Sequence, residues 1–349
     1  MGNSDATGFS SHPAIRRYWH PVARSAAITG AVGVQICGEQ LVLWRDPDGV
    51  VVAAPDRCPH REAPLSCGVV TLDGEIECPY HGWRFGSGGR CVAVPSSDPG
   101  VPVPPKAHLP TVACAERYGL VWVCLDEPIA DIPRIPQDDD PAFRRINNPV
   151  ERWDTCAMRM TDNFVDITHF PFVHTATFGI RQETTVPKVE LEALDDDWFG
   201  YQYEVNVRNE AAALLASGQA EAVLHRHMSS GFSLPFLVRS TIRYETGLEH
   251  ILLLCSTPID DVTSYFTFVV WRNDDFSVSA EDVIVFDRAI GAEDKAMLEK
   301  VPGVLPLDQT ATVSVQADKC SVEWRRRFAA LLTSDNPAPA HRNGGLVPD

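Results

Sequence analysis

The chain has 349 residues, 44% of them hydrophobic and 22% charged, with 30 Lys and Arg against 47 Asp and Glu for a net charge of −17. Such proportions belong to a folded protein of about two domains and exclude a disordered or fibrous chain, while the acidic surplus removes the basic footprint that general nucleic-acid binding needs. No apolar run approaches the ~20 residues of a membrane helix, and the leading MGNSDATGFSSHP lacks the apolar centre of a secretory signal, so a cytoplasmic protein with no membrane partner is expected.

In chain order, residues 1–11 are polar and expected to be loose. Short apolar runs from Val32 to Ala54, broken at Gly38-Glu39 and Asp46-Pro47-Asp48-Gly49, predict an antiparallel meander. Further strands are expected at 69–70, 75–78, 111–115 and 120–125, which makes residues 12–127 an all-β domain. The Pro-rich stretch from Pro95 to Pro110 reads as a loop. Residues 128–149 carry Pro128, Pro133, Pro136, Pro141 and Pro149 around Asp138 to Asp140 and read as a linker. From 150 to 333, strands expected at 188–194, 199–207, 236–244, 251–258 and 264–271 mix with helices at 160–170, 281–300 and 317–332. Strands following one another without regular intervening helices indicate an α+β domain, an antiparallel sheet with helices against it. The Ala-rich segment 210–224 reads equally as a helix or a flap, and residues 334–349 are expected to be loose.

Ten cysteines in a chain without an export signal are expected as reduced thiols or metal ligands. Cys58-Pro59-His60 and Cys78-Pro79-Tyr80-His81 form C-x-H, seventeen residues, then C-x-x-H, each pair at the tip of a predicted hairpin. Two loops can thus clamp a metal centre, each giving one thiolate and one imidazole. A tetrahedral zinc takes those four donors, and so does a Rieske [2Fe–2S] cluster, with both cysteines on one iron and both histidines on the other. Spacing alone leaves both readings open. Cys67 and Cys91 are expected as ordinary buried thiols.

A second set lies in Asn163-Phe-Val-Asp166-Ile-Thr-His169-Phe-Pro-Phe-Val-His174. Asp166 and His169, three apart, are expected on one helix face. His174 is about 140° further round an ideal helix, so both histidines meet one ion only if the helix breaks, and Pro171 stands between them to break it. Apolar neighbours give the dry shell of a two-histidine, one-carboxylate iron site. The carboxylate must come from elsewhere. Chemistry alone leaves Glu281, Asp282, Asp287, Glu293, Asp294 and Glu299 of the predicted C-terminal helix open, with Asp287 and Asp294 sharing a face. His225 and His227 alternate with Arg226 on a predicted strand, where surface placement or an orienting role are the readings.

The stretches Cys58-Pro-His-Arg61, Cys78-Pro-Tyr-His-Gly-Trp-Arg-Phe85 and Asp166-x-x-His169-x-x-x-x-His174 resemble the motifs of the Rieske non-haem iron oxygenases, and the resemblance runs from Trp19-His20-Pro21-Val22 to Val315-Gln316-Ala317-Asp318-Lys319, closest to the vanillate, dicamba and caffeine demethylase branch. It implies that Cys58, His60, Cys78 and His81 hold the [2Fe–2S] cluster. It also implies that His169 and His174 hold a mononuclear Fe(II), and that Asp166 bridges to a Rieske histidine of a neighbouring subunit without binding iron. Ala292-Glu293-Asp294-Lys295 is similar to the segment in which the Asp is the third ligand, hence Asp294, with Glu293 the nearest rival. The family further implies a homotrimer in which electrons pass through His81, Asp166 and His169. A ferredoxin or flavin reductase is the implied donor, with NAD(P)H acting only through it, and O2 and a small aromatic or heterocyclic substrate are consumed in hydroxylation or O-/N-demethylation. Arg61, Arg84 and Arg90 are expected either to form a landing site for an acidic donor or simply to solvate the loops. A pure electron carrier and a zinc-stapled binding protein are the readings from other classes.

Overall fold

A computed structural model of the chain describes residues 8–98, 100–209, 221–274 and 277–334. It divides into two compact units, one formed by Arg16–Asp131 and the other by the remaining residues.

The first unit is all-β. β1 (His20–Arg24) pairs with β10 (Leu120–Cys124), which pairs with β9 (Ala113–Arg117). β2 (Val32–Ile36), β3 (Glu39–Arg45) and β4 (Val51–Pro55) form the expected meander. A third sheet joins β5 (Val69–Val70), β6 (Ile76–Glu77), β7 (Arg84–Phe85) and β8 (Cys91–Ala93). Trp44, Leu65, Phe85 and Leu109 fill the core beneath the two cysteine loops. Cys91 is buried, as expected, but Cys67 is exposed. It ends a short turn, Leu65–Cys67, that sends Leu65 inward and leaves the thiol on the outside.

The second unit is one antiparallel sheet covered by helices. Its order is β11 (Arg144–Asn147), β18 (Ser264–Arg272), β17 (Glu249–Pro258), β16 (Leu237–Arg243), β15 (Val223–Ser233), β14 (Phe199–Arg208) and β13 (Glu192–Ala193), with β12 (Glu151–Trp153) also on β18. The helices are α1 (Ala157–Phe164), α2 (Phe170–Val173), α3 (Ala280–Leu298) and α4 (Lys319–Thr333). Ser279 opens α3 by accepting the Asp282 amide, a side-chain cap at the helix start.

Four expectations need correction. The stretch 128–149 is not a free tether: Arg144–Asn147 pairs with Val269–Arg272, and Asp138 accepts bonds from Trp271 Nε1 (2.8 Å) and Arg145 (2.7 Å). Its prolines flank an edge strand, where proline is tolerated. The residues just before Pro13 are anchored too, since Phe9 is buried against Phe236 and Phe328 and Ser10 bonds to Asp261. The strand expected at 188–194 shrinks to Glu192–Ala193, because the Val189 carbonyl is taken by Lys319 rather than by a strand. The helix expected at 160–170 ends at Phe164. Of the 210–224 segment, residues 210–220 lie outside the described residues, as do 335–349; Val223 and Leu224 begin β15.

Candidate metal centres

The two cysteine loops of the first unit are built alike. Cys58 N–H donates to Ala63 O (2.9 Å) and Cys58 O accepts from Glu62 N–H (2.8 Å); Cys78 N–H donates to Trp83 O (2.8 Å) and Cys78 O accepts from Gly82 N–H (3.0 Å). Each loop closes through a left-handed residue at the same place, Glu62 at φ 62° and Gly82 at φ 69°, a region that costs glycine nothing and other residues more. The closure holds both thiols inside, with Cys58 and Cys78 at 1% and 2% exposure, and turns both imidazoles outward to face one another with ring centres 4.5 Å apart. His60 is half-buried and His81 exposed. Trp83 stacks on His60 at 4.5 Å and 5°, and Tyr80 lies 4.0 Å from the His81 ring.

Polar bookkeeping shows what is wanted between these loops. Burial and then the Cys78 thiol push the Cys58 thiol up to about 11, while His60 Nδ1 is buried with no hydrogen-bond partner. Partial burial, His81 and Arg61 hold His60 below its ordinary value, which keeps the ring neutral. Two buried sulfurs, and the His60 ring with its orphaned nitrogen turned toward His81, fit a cluster that takes thiolates on one side and imidazoles on the other.

In the second unit, α1 stops because Asp166 captures the next turn: its carboxylate accepts Thr168 N–H (3.0 Å), Thr168 Oγ1 (2.8 Å) and His169 N–H (3.1 Å). This local bonding competes with helix continuation, so Asp166 and His169 meet through a turn and not across a helix face. Pro171 then sits in the first turn of α2, where no N–H is required of it. His169 and His174 flank that single turn. Gly179 lies so close that an added Cβ would stand 2.2 Å from Phe170 O, and its N–H donates to His174 O (2.8 Å).

Three acceptor atoms converge here. His169 Nε2 and His174 Nε2 are 3.2 Å apart, and Asp294 Oδ1 lies 3.5 Å from the first and 3.4 Å from the second. The outer nitrogens are both occupied: His169 Nδ1 by Asp166 Oδ2 (2.9 Å) and His174 Nδ1 by Glu293 Oε2 (3.0 Å). Each carboxylate places the ring proton on Nδ1, so two lone pairs and a carboxylate oxygen face one point with no proton between them. That arrangement repels unless a cation occupies it. Burial and the neighbouring His169 hold His174 below its ordinary value, the neutral form a metal requires. Burial alone would raise Asp166, but the bonds from His169 and Thr168 outweigh it and hold its carboxyl low.

The open carboxylates are separated by this geometry. Asp294 is buried beside both Nε2 atoms, and Asn163 Nδ2 donates to its Oδ1 (3.0 Å). Glu293 is on the far side of His174, where it also accepts Thr177 Oγ1 (2.6 Å) and Ala176 N–H (2.8 Å), so it orients a ring and does not face the cavity. Glu281, Asp282 and Glu299 are exposed. Asp287 does share the inward face, but two turns away, where Asn148 Nδ2 donates to it (3.0 Å). His225 and His227 are exposed and face Glu204.

Burial pushes the Asp287 carboxyl up to about 7, only partly offset by Asn148 and Arg272. The folded state therefore keeps a proton that the unfolded chain releases near pH 4. Between those values the native state binds more protons, so stability falls as pH rises, by roughly 1.4 kcal/mol per pH unit at most. Asp287→Asn is expected to remove that slope between pH 5 and 7 in denaturant titrations; an unchanged slope would refute the assignment.

Both sets of residues lie within segments that match known protein families. Residues 18–113 match the Rieske [2Fe-2S] domain, and residues 153–334 match the vanillate O-demethylase oxygenase C-terminal domain. The chain is 32% identical to methylxanthine N1-demethylase NdmA of Pseudomonas putida, over 95% of this chain and 91% of that one. It is 30% identical to the vanillate O-demethylase oxygenase subunit of a Pseudomonas species, over 88% and 91%. The solved structure of NdmA with caffeine superimposes with a TM-score of 0.81 at 30% identity, covering 95% of this chain and 93% of that chain. A Rieske domain, a mononuclear-iron domain and this extent of likeness together establish that the chain belongs to the Rieske non-haem iron oxygenases, in the branch with the vanillate O-demethylase type of C-terminal domain.

Proposed function

We propose that this protein is the terminal oxygenase of a multicomponent system that monooxygenates a small aromatic or heterocyclic substrate, removing an O- or N-methyl group. The observation carrying this reading is the convergence of His169 Nε2, His174 Nε2 and Asp294 Oδ1 on one point in the lining of a mostly apolar cavity. In this reading Cys58, Cys78, His60 and His81 hold the cluster, and His169, His174 and Asp294 hold Fe(II). When bound, the cluster relays single electrons and the iron supplies the oxygen activation that puts one oxygen atom into a substrate C–H bond. A hydroxylated methyl carbon then leaves as formaldehyde, with the second oxygen atom reduced to water by two electrons and two protons.

The chain's own residues do the rest. Asp166 and Glu293 fix the tautomers and planes of the two histidines. Phe164, Phe170, Phe178 and Phe266 keep water from the cavity and so protect a reactive site from side reactions. Asp166, half-buried and bonded to His169, would bridge His169 to a neighbouring subunit's exposed His81, in a homotrimer with head-to-tail contacts.

An external ferredoxin or flavin reductase must reach the exposed His81. Arg84 is answered by Glu75 at 3.0 Å, which weakens its case as a landing charge, whereas Arg61 beside His60 is exposed. Arg61→Glu is expected to slow reduction of the cluster several-fold at low salt, the difference fading above about 0.15 M. Stopped-flow rates independent of salt would exclude the docking role.

The purified protein is expected to hold three irons and two acid-labile sulfides per chain and to release formaldehyde from methoxy- or N-methyl-aromatics when supplied with a reductase and O2. Material free of iron after anaerobic purification would overturn the function.

A further inference from the structure

The cavity between the sheet and α3 is polar at one end. Arg226, Tyr244, His250 and Arg272 line it there, while Met228, Leu252 and Phe268 line the adjoining part. The register explains the segregation. His250 lies opposite both Ile242 and Arg272, one row beyond Leu252 and Val270, and Arg226 lies one step outside the Met228–Ile242 pair. Arg226 points inward between the outward His225 and His227.

Arg226 is the anomaly. It is 6% exposed, its guanidinium rests on the Tyr244 ring at 5.1 Å, and its Nε has no hydrogen-bond partner. Among the described residues no carboxylate pairs with it. The cavity's two carboxyls are engaged elsewhere, Asp294 at the iron triad and Asp287 by Asn148, and Arg272 is paired with Asp274 at 2.6 Å. Beside Arg226, His250 Nε2 is also buried and unpartnered. A buried cation without a counter-ion is costly and is retained where a ligand supplies the missing charge. Its planar fork matches a carboxylate.

The size of the cavity narrows the choice. Its volume is about 140 Å³, close to the roughly 150 Å³ apolar cavity that admits one benzene ring. The polar end lies near Asp287, on which Arg272 acts, and the triad lies at Asp294. Seven residues of helix separate them, about 10 Å at ~1.5 Å per residue, a span suited to one ring with a substituent at either end.

We infer that the substrate is a single-ring aromatic carboxylate whose carboxylate is held by Arg226, with His250 beside it, so that the substituent across the ring reaches the iron. This rests on the oxygenase reading and specifies its substrate class. Arg226 is thereby a binding and specificity residue.

The test measures binding to the iron-loaded protein under argon without reductase, by calorimetry, using 4-methoxybenzoate, 4-methoxybenzamide, acetate and caffeine. The benzoate is expected to bind at least tenfold tighter than the other three and to raise the melting temperature. Arg226→Gln should cost the benzoate tenfold or more and the amide less than twofold, with Arg226→Lys between wild type and Gln. Equal binding of acid and amide, acetate as tight as the benzoate, caffeine as the tightest ligand, or an Arg226→Gln affinity equal to wild type would each overturn the inference. Should Arg226→Gln not fold, the wild-type acid and amide decide alone. Formaldehyde release is scored separately: a benzoate that binds but is never turned over sinks the proposed reaction and leaves the pocket assignment standing.

Discussion

Replacing His169 or His174 with alanine is expected to lower the iron content from three per chain to two and to cut turnover at least 10³-fold, with the visible spectrum of the cluster unchanged. The reason is the geometry of the triad: three acceptor atoms within 3.5 Å of one another hold a cation only as a set, and removing an imidazole leaves two donors. The cluster loops belong to the other compact unit. Asp294→Ala should behave in the same way. Glu293→Gln should not, because Glu293 meets His174 at Nδ1 rather than at the Nε2 side. Loss of such an outer partner costs about 10–100-fold in metal affinity, which excess ferrous iron should restore. Activity surviving in both histidine variants, or an Asp294→Ala variant rescued by iron as readily as Glu293→Gln, would remove the triad assignment.

Asp166→Asn is expected to separate electron delivery from iron binding. The amide keeps one acceptor oxygen, which can retain the bonds from Thr168 N–H and Oγ1 and with them that part of the turn between α1 and α2. Its NH2 group cannot accept from His169 N–H or Nδ1, and it loses the charge that would hold an imidazole donor of a neighbouring subunit. With iron restored to three per chain, the reductase should still reduce the cluster at the wild-type rate, while single-turnover product formation falls by about 10² or more. Rapid-mixing spectroscopy reads the two phases apart. If product forms at the wild-type rate once iron is replete, Asp166 is only a positioning residue for His169 and the route between subunits lies elsewhere.

The legibility of these features in the sequence follows their physics. A cluster loop is local: Cys58 to Ala63 and Cys78 to Trp83 close on themselves, so four candidate ligands are readable as two short strings. The α3 helix is readable too, since its buried residues Val283, Asp287, Gly291, Asp294 and Leu298 recur every three to four positions, whereas of the longest strand, Val223–Ser233, only the alternation of His225, Arg226 and His227 is read from the sequence. β1 and β11 escape the pattern because proline interrupts or flanks them, and Phe9 because a single apolar residue in a polar stretch shows no period. The turn at Asp166 also escapes, since spacing of three is equally that of a helix face and of a carboxylate reaching forward to two amides.

By itself, then, the sequence determined the chemistry available: two Cys-His loops, a pair of histidines with a carboxylate before them, an α+β catalytic part and an acidic surface. Selection among equivalents was left to tertiary structure. Glu293 and Asp294 are adjacent in sequence and chemically alike, and only the angle of about 100° between neighbours on a helix, once α3 is laid on the sheet, sends one carboxylate to the Nε2 side and the other to the Nδ1 side. Arg226 is likewise one cation among thirty Lys and Arg. Its distinction is the absence of a paired carboxylate among the described residues, and that is set by every side chain packed around it, which no local stretch of sequence records.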